Sequence, residues 1–152
     1  FFSLTSSLLL GQFSDNRKHY SLADTVFELN TYYVTKLHFD LAQTNIRDES
    51  KPTLDSIAAF LIKNKKLNIE IGCHSDTRGK PTSSRRLTKV RANNIANYLI
   101  AKGVDSTRII SVGYEGTLPI ISDKQITKLK TAKEIEEAHF LNRRVDFKII
   151  KK

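Results

Sequence analysis

Arg91 lies where a charged side chain is hardest to account for. The run from about Ser84 to Lys102 has helical spacing and stops at Gly103, a common residue just past a helix end. On a helical wheel Leu87, Arg91, Ile95, Tyr98 and Leu99 fall within roughly 120° of arc, so Arg91 is inside the apolar stripe. A guanidinium there must be paired or hydrogen-bonded, because stranding it costs on the order of several kcal/mol. Its neighbours Arg85, Arg86 and Lys89 carry the same sign. The nearest suitable anion is Asp76, just past a strand, where the chain turns toward the start of this helix. Two arrangements satisfy these residue types. One is a structural ion pair. In the other, both charges face a cleft and hold a ligand bearing an ammonium and a carboxylate at fixed separation.

Cys73 and His74 raise a different chemistry, a thiol nucleophile with an imidazole base, and the two groups must meet in space for it. Adjacent side chains on a strand point to opposite faces, so this pair diverges, and Cys73 reads as a small buried hydrophobe. No two histidines have zinc-like spacing, a single cysteine builds no structural metal site, and no phosphate-binding glycine loop occurs. Neither a metal nor a cofactor is expected.

The elements that must position these residues read in order along the chain. Tyr33 to Phe39 alternates and is β-rich, a first strand. Asp48, Glu49, Ser50 and Pro52 supply helix-start chemistry, Leu54, Ile57, Ala58 and Leu61 form one helical face, and Asn64 is a plausible stop. Leu67, Ile69, Ile71 and Cys73 alternate with polar residues in a second strand. Thr77 to Ser84 is a turn by composition, leading into the Arg91 helix. Arg108 to Val112 is a third strand, Thr131 to Phe140 is rich in helix formers, and Val145, Phe147 and Ile149 alternate in a fourth. The order β-α-β-α-β-(α)-β predicts an α+β fold, helices packed on one mixed four-stranded sheet.

The 152 residues suit one domain, and 39% hydrophobic content is too high for a disordered chain. Cys73 is the only cysteine, so a disulfide scaffold is excluded. No run approaches the ~18–20 apolar residues of a spanning helix. Residues 1–13 resemble the apolar core of an export signal, 14–30 form a polar lead-in without clear period, and 31–152 form the domain. The formal charge of +9 is loaded on Lys124, Lys128, Lys130 and Lys133 and on the C-terminal lysines. A nucleic-acid-binding domain would interleave such charge with exposed aromatics or a reading helix, and neither stands out. The charge reads instead as a solvated surface with modest attraction to anionic surroundings.

Ile71-Gly72-Cys73-His74-Ser75-Asp76-Thr77-Arg78-Gly79, then Leu87-Thr88-Lys89-Val90-Arg91-Ala92 and Tyr98-Leu99, resemble the central motif of the OmpA-like C-terminal domain family. Phe39-Asp40, Val112-Gly113-Tyr114-Glu115-Gly116 with Pro119-Ile120, and Asn142-Arg143-Arg144-Val145-Asp146-Phe147 are similar to further family elements, in register over about residues 31–150. The resemblance implies a non-enzymatic module of the Gram-negative periplasm, near the outer membrane, that binds peptidoglycan non-covalently through the meso-diaminopimelate of the stem peptide. By the same resemblance Asp76 takes the ammonium and Arg91 holds the carboxylate with a planar fork. Asp40, Thr77, Ser84 and Leu87 are implied to line the groove. Arg144 is implied to sit at its edge, against the plainer alternative of a solvated strand charge. Ser84 stands where the family usually has asparagine, so one paired donor and acceptor is lost. Gly113 to Gly116 inverts the family's usual order of glycine and glutamate. Binding of other envelope proteins through residues 122–140 is a further expectation, and nucleic acid is not an expected partner.

Overall fold

The computed structural model describes residues 18, 19 and 26–152, so the export-signal expectation for residues 1–13 lies outside the described residues. Nine elements follow: β1 (Lys18–His19), β2 (Tyr32–Thr35), α1 (Lys51–Lys63), β3 (Asn68–His74), α2 (Pro81–Ala101), β4 (Ile109–Glu115), α3 (Asp123–Ile126), α4 (Ala132–Asn142) and β5 (Val145–Lys151). The sheet order is β1-β2-β5-β3-β4, with β5 antiparallel to both its neighbours and β3/β4 parallel. The four expected strands are present, and the two-residue β1 adds a parallel edge beside β2.

The inward row of the sheet is Tyr33, Ile69, Ile71, Cys73, Val145, Phe147 and Ile149. Against it pack Leu54, Ile57, Ala58 and Leu61 of α1 and Ala92, Ile95, Ala96 and Leu99 of α2, one core on one face of the sheet. The polar lead-in assigned to residues 14–30 contributes to this core. Phe27 is buried and its ring meets Tyr33, Phe60 and Phe147 at centroid distances of 4.6, 4.5 and 5.2 Å. A second cluster, Ile121, Ile126, Ala138 and Leu141, closes the long excursion between β4 and β5.

Three boundaries depart from expectation, each for a local reason. The first strand ends at Thr35 instead of near Phe39, because its partner β5 begins opposite it at Val145 and the ladder has nothing further to pair with. Residues 36–47 are thereby released as a loop. The Arg91 helix begins at Pro81, earlier than Ser84, since proline's fixed φ and missing N–H suit a first turn. The third strand continues through Gly113 and Tyr114 to Glu115 and gains a register shift opposite Cys73/His74. At the start of α1 only part of the expected chemistry is present: Pro52 sits in its first turn, but Asp48 and Glu49 fall in a short 3-10 turn before it and Ser50 makes no side-chain cap hydrogen bond; Asn64 caps the other end by donating from Nδ2 to the Phe60 carbonyl at 2.8 Å. Among the described residues no helix is long and apolar enough to cross a membrane.

Candidate functional site

The released loop, the end of β3, the first turns of α2, the outer part of α4 and the start of β5 converge on one open cleft of about 780 Å³. Asp76 and Arg91 both line it.

Arg91 is 9% exposed, on the buried stripe of α2 with Thr88, Ala92, Ile95 and Leu99, where the wheel placed it. The anion expected beside it is not its partner. Its Nε donates to the Gln43 carbonyl at 2.8 Å and one terminal nitrogen donates to the Asp40 carbonyl at 2.9 Å. The guanidinium also lies over the Phe39 ring, 4.7 Å from its centroid. These contacts satisfy two of its five N–H groups and leave its charge without a counter-ion among the described residues. Burial lowers its pKa below the ordinary arginine value, yet a guanidinium starts so high that it stays charged. The same contacts fasten the 40–43 turn, in which Ala42 takes a left-handed φ of 57°.

Asp76 is held by other arginines. Arg78 donates to it from Nε at 3.2 Å, from a terminal nitrogen at 2.8 Å and from its backbone N–H at 3.2 Å. Arg143 reaches the oxygen held by the Arg78 side chain, Oδ2, at 2.5 Å, while the Arg78 backbone N–H serves Oδ1. Both arginines continue to Glu136 of α4, at 2.7 and 2.9 Å. Two carboxylates and two guanidiniums thus alternate around a ring. Burial by itself raises the Asp76 pKa, but the bonds from Arg78 and Arg143 outweigh it and hold the carboxyl below its ordinary value. Glu136 falls to about 2, through Arg78 first and Arg143 second.

The sequence matches the OmpA family over residues 38–133, more than half of the chain. The chain belongs to the OmpA family. Peptidoglycan-associated lipoprotein from Pasteurella multocida is 31% identical over 102 residues, 67% of this chain and 65% of that protein. Outer membrane protein P5 from Haemophilus influenzae is 29% identical over 82 residues, 54% of this chain and 23% of that protein, so the match spans about a quarter of this longer relative. Among solved structures, the peptidoglycan-associated lipoprotein from Burkholderia pseudomallei superposes with a TM-score of 0.62 at 22% identity, covering 74% of this chain and 87% of that one. The cell wall anchor of the type VI secretion system (T6SS) from Pseudomonas aeruginosa gives 0.59 at 27% identity, covering 75% of each. The α+β architecture described above is that of these OmpA-like domains.

Within this OmpA-family cleft the other expected residues take different places. Asp40, Ser84 and Leu87 line it. The Asp40 carboxylate pairs with Arg47 at 3.6 Å, so its backbone carbonyl, not its charge, serves Arg91. Ser84 faces Gly79 so closely that a Cβ at that glycine would lie 2.6 Å from the hydroxyl, which would have to rotate aside to admit a side chain there. Thr77 is not part of the lining, because its hydroxyl donates to Asp123 at the start of α3 at 2.7 Å. Arg144 borders the cleft but is neither a solvated strand charge nor an open arginine. It is 4% exposed, bound to Asp146 at 3.1 Å and to the Leu118 carbonyl at 3.0 Å.

Arg143 and Glu136 were missed by the sequence reading. Carrying the β5 alternation back two residues puts Arg144 on the face of Asp146 and Arg143 on the opposite one, which is the available signal for Arg143. Cys73 is buried, and burial pushes its thiol well above the ordinary value. The His74 ring lies 3.1 Å from Asp146 and stacks on Tyr114. Glu115 stands in the left-handed region at φ 55°, where the family's usual order would place glycine, and is tied to Arg85 at 2.6 Å.

Proposed function

We propose that this domain anchors an envelope protein to the cell wall by holding the diaminopimelate end of a peptidoglycan stem peptide in the cleft. The observation that carries the reading is that Asp76 and Arg91, opposite in charge, line one open cavity without pairing with each other. Arg91 has N–H groups left to fork a carboxylate. Asp76 has a carboxylate that can exchange a guanidinium for a ligand ammonium. A zwitterionic amino-acid terminus supplies both groups at fixed separation. Membership of the OmpA family and the likeness to peptidoglycan-associated lipoproteins support the same ligand. They also support a site of work in the periplasm, at the outer-membrane side of a Gram-negative envelope.

The module binds and does not catalyse. A thiolate is the nucleophilic form of cysteine, and the buried, raised thiol of Cys73 withholds it. The lysine-bearing α3–α4 excursion, within the 122–140 segment, is the surface offered to other envelope proteins.

Co-sedimentation with purified diaminopimelate-type sacculi tests the reading. Wild type pellets with the wall. Asp76→Ala loses this, and Arg91→Lys weakens it roughly tenfold or more, since an ammonium keeps the charge but not the fork. The lysine variant is preferred to Arg91→Ala, which also frees the 40–43 turn. Full retention by both folded variants overturns the assignment.

A further inference from the structure

The ring of Asp76, Arg78, Glu136 and Arg143 is asymmetric. The Asp76 side chain is only 10% exposed, whereas that of Glu136 is 56% exposed. Glu136 bridges the two guanidiniums, one oxygen to Arg78 at 2.7 Å and the other to Arg143 at 2.9 Å. That is how a ligand carboxylate would bridge them. Among the described residues the cleft is lined by five arginines and three carboxylates, and Glu136 is one of the three.

We propose that Arg78 and Arg143 form a second carboxylate subsite on the α4 side of the cleft, occupied by the chain's own Glu136 and taken over by a ligand carboxylate through exchange. The inner anion, Asp76, is fixed in place by burial and by the backbone N–H of Arg78. The outer anion sits on a helix surface, in contact with solvent, and exposed ion pairs of this kind are weakly held. A ligand ammonium arriving at the fixed Asp76 shares that carboxylate with the two arginines, which leaves them less compensated and increases their demand for a second anion. Glu136 leaving toward solvent supplies the opening. The ligand class is therefore a zwitterionic terminus with a further free carboxylate nearby, as at the end of an unblocked stem peptide. Only the identity of that ligand rests on the wall-binding reading; the subsite itself rests on the geometry.

N-acetyl-D-alanine carries one carboxylate and no ammonium, so it probes this subsite independently of the Asp76–Arg91 grip. Titration into the full chain, followed through the arginine Nε–H signals by NMR, should shift Arg78 and Arg143. Glu136→Gln, an exposed and helix-compatible change, should tighten this binding roughly fivefold, the size of an exposed ion pair. Adding Arg143→Gln to that variant should erase the gain. Equal affinity in wild type and Glu136→Gln, or shifts confined to Arg91, overturns the proposal. Failure of a diaminopimelate tripeptide to bind wild type, with the exchange still present, overturns the stem-peptide reading and supports the subsite.

Discussion

Asp76 accepts from two guanidiniums at once, and Arg91 donates to none of the carboxylates around it. The two residues are thus prepared differently. Arg91 is fixed by carbonyls and has no counter-ion among the described residues, whereas Asp76 is charge-compensated and, on the proposed function, exchanges one partner for the ligand. The ring also sets a pH dependence. Asp76 and Glu136 both have folded-state pKa values below their ordinary ones, Glu136 at about 2. In the unfolded chain these groups titrate near ~4, so between ~4 and 2 the unfolded state binds more protons and stability rises with pH. The contribution is complete at neutral pH and is lost as pH falls through the folded values. Urea unfolding should show little change from pH 7 to 5 and a decline below ~4. Glu136→Gln should flatten part of that decline; an unchanged slope would deny the ring its role.

At the level of elements, α4 delivers Glu136 and Phe140 to the cleft, and the end of α4 is pinned by one buried amide. Asn142 is fully buried; its Oδ1 accepts from the backbone N–H groups of Ile120 and Ile121, and its Nδ2 donates to the Ile121 carbonyl. Asn142→Ala strands those groups and should cost about 2–4 kcal/mol, read from the urea midpoint. A change within about 0.5 kcal/mol, the scatter of surface substitutions, would contradict this. The sequence showed α4 through helix formers starting at Thr131, whose capping box with Glu134 is formed. It did not show α3, because four residues are too short for a periodic signal, although Ser122 and Gln125 cap it in the same way. Strand alternation located β3 and β5 but overran β2, whose length depends on where a distant partner begins. The apolar stripe of α2 identified Arg91, whereas its actual partners are carbonyls of a loop that carries no local pattern. The four-charge ring was illegible for the same reason: Asp76 and Arg143 are 67 positions apart.

For the molecule as a whole, one sheet face carries the helical core while the cleft opens where β2 stops pairing. The early end of β2 therefore creates the site, and the 36–47 loop becomes one of its walls. The five arginines and three carboxylates of the cleft lining account for only a small part of the +9 formal charge, so salt should weaken capture of an anionic wall only in part. On the proposed function the cleft recognises an ammonium and a carboxylate together. Calorimetric titration with L-Ala-γ-D-Glu-meso-diaminopimelate, against the same tripeptide ending in lysine, separates the two groups, because lysine keeps the side-chain ammonium and lacks the carboxylate beside it. The first peptide should bind, and the second should bind roughly tenfold or more weakly, the cost of an unmet charged hydrogen bond. Equal affinity for the two peptides would contradict it.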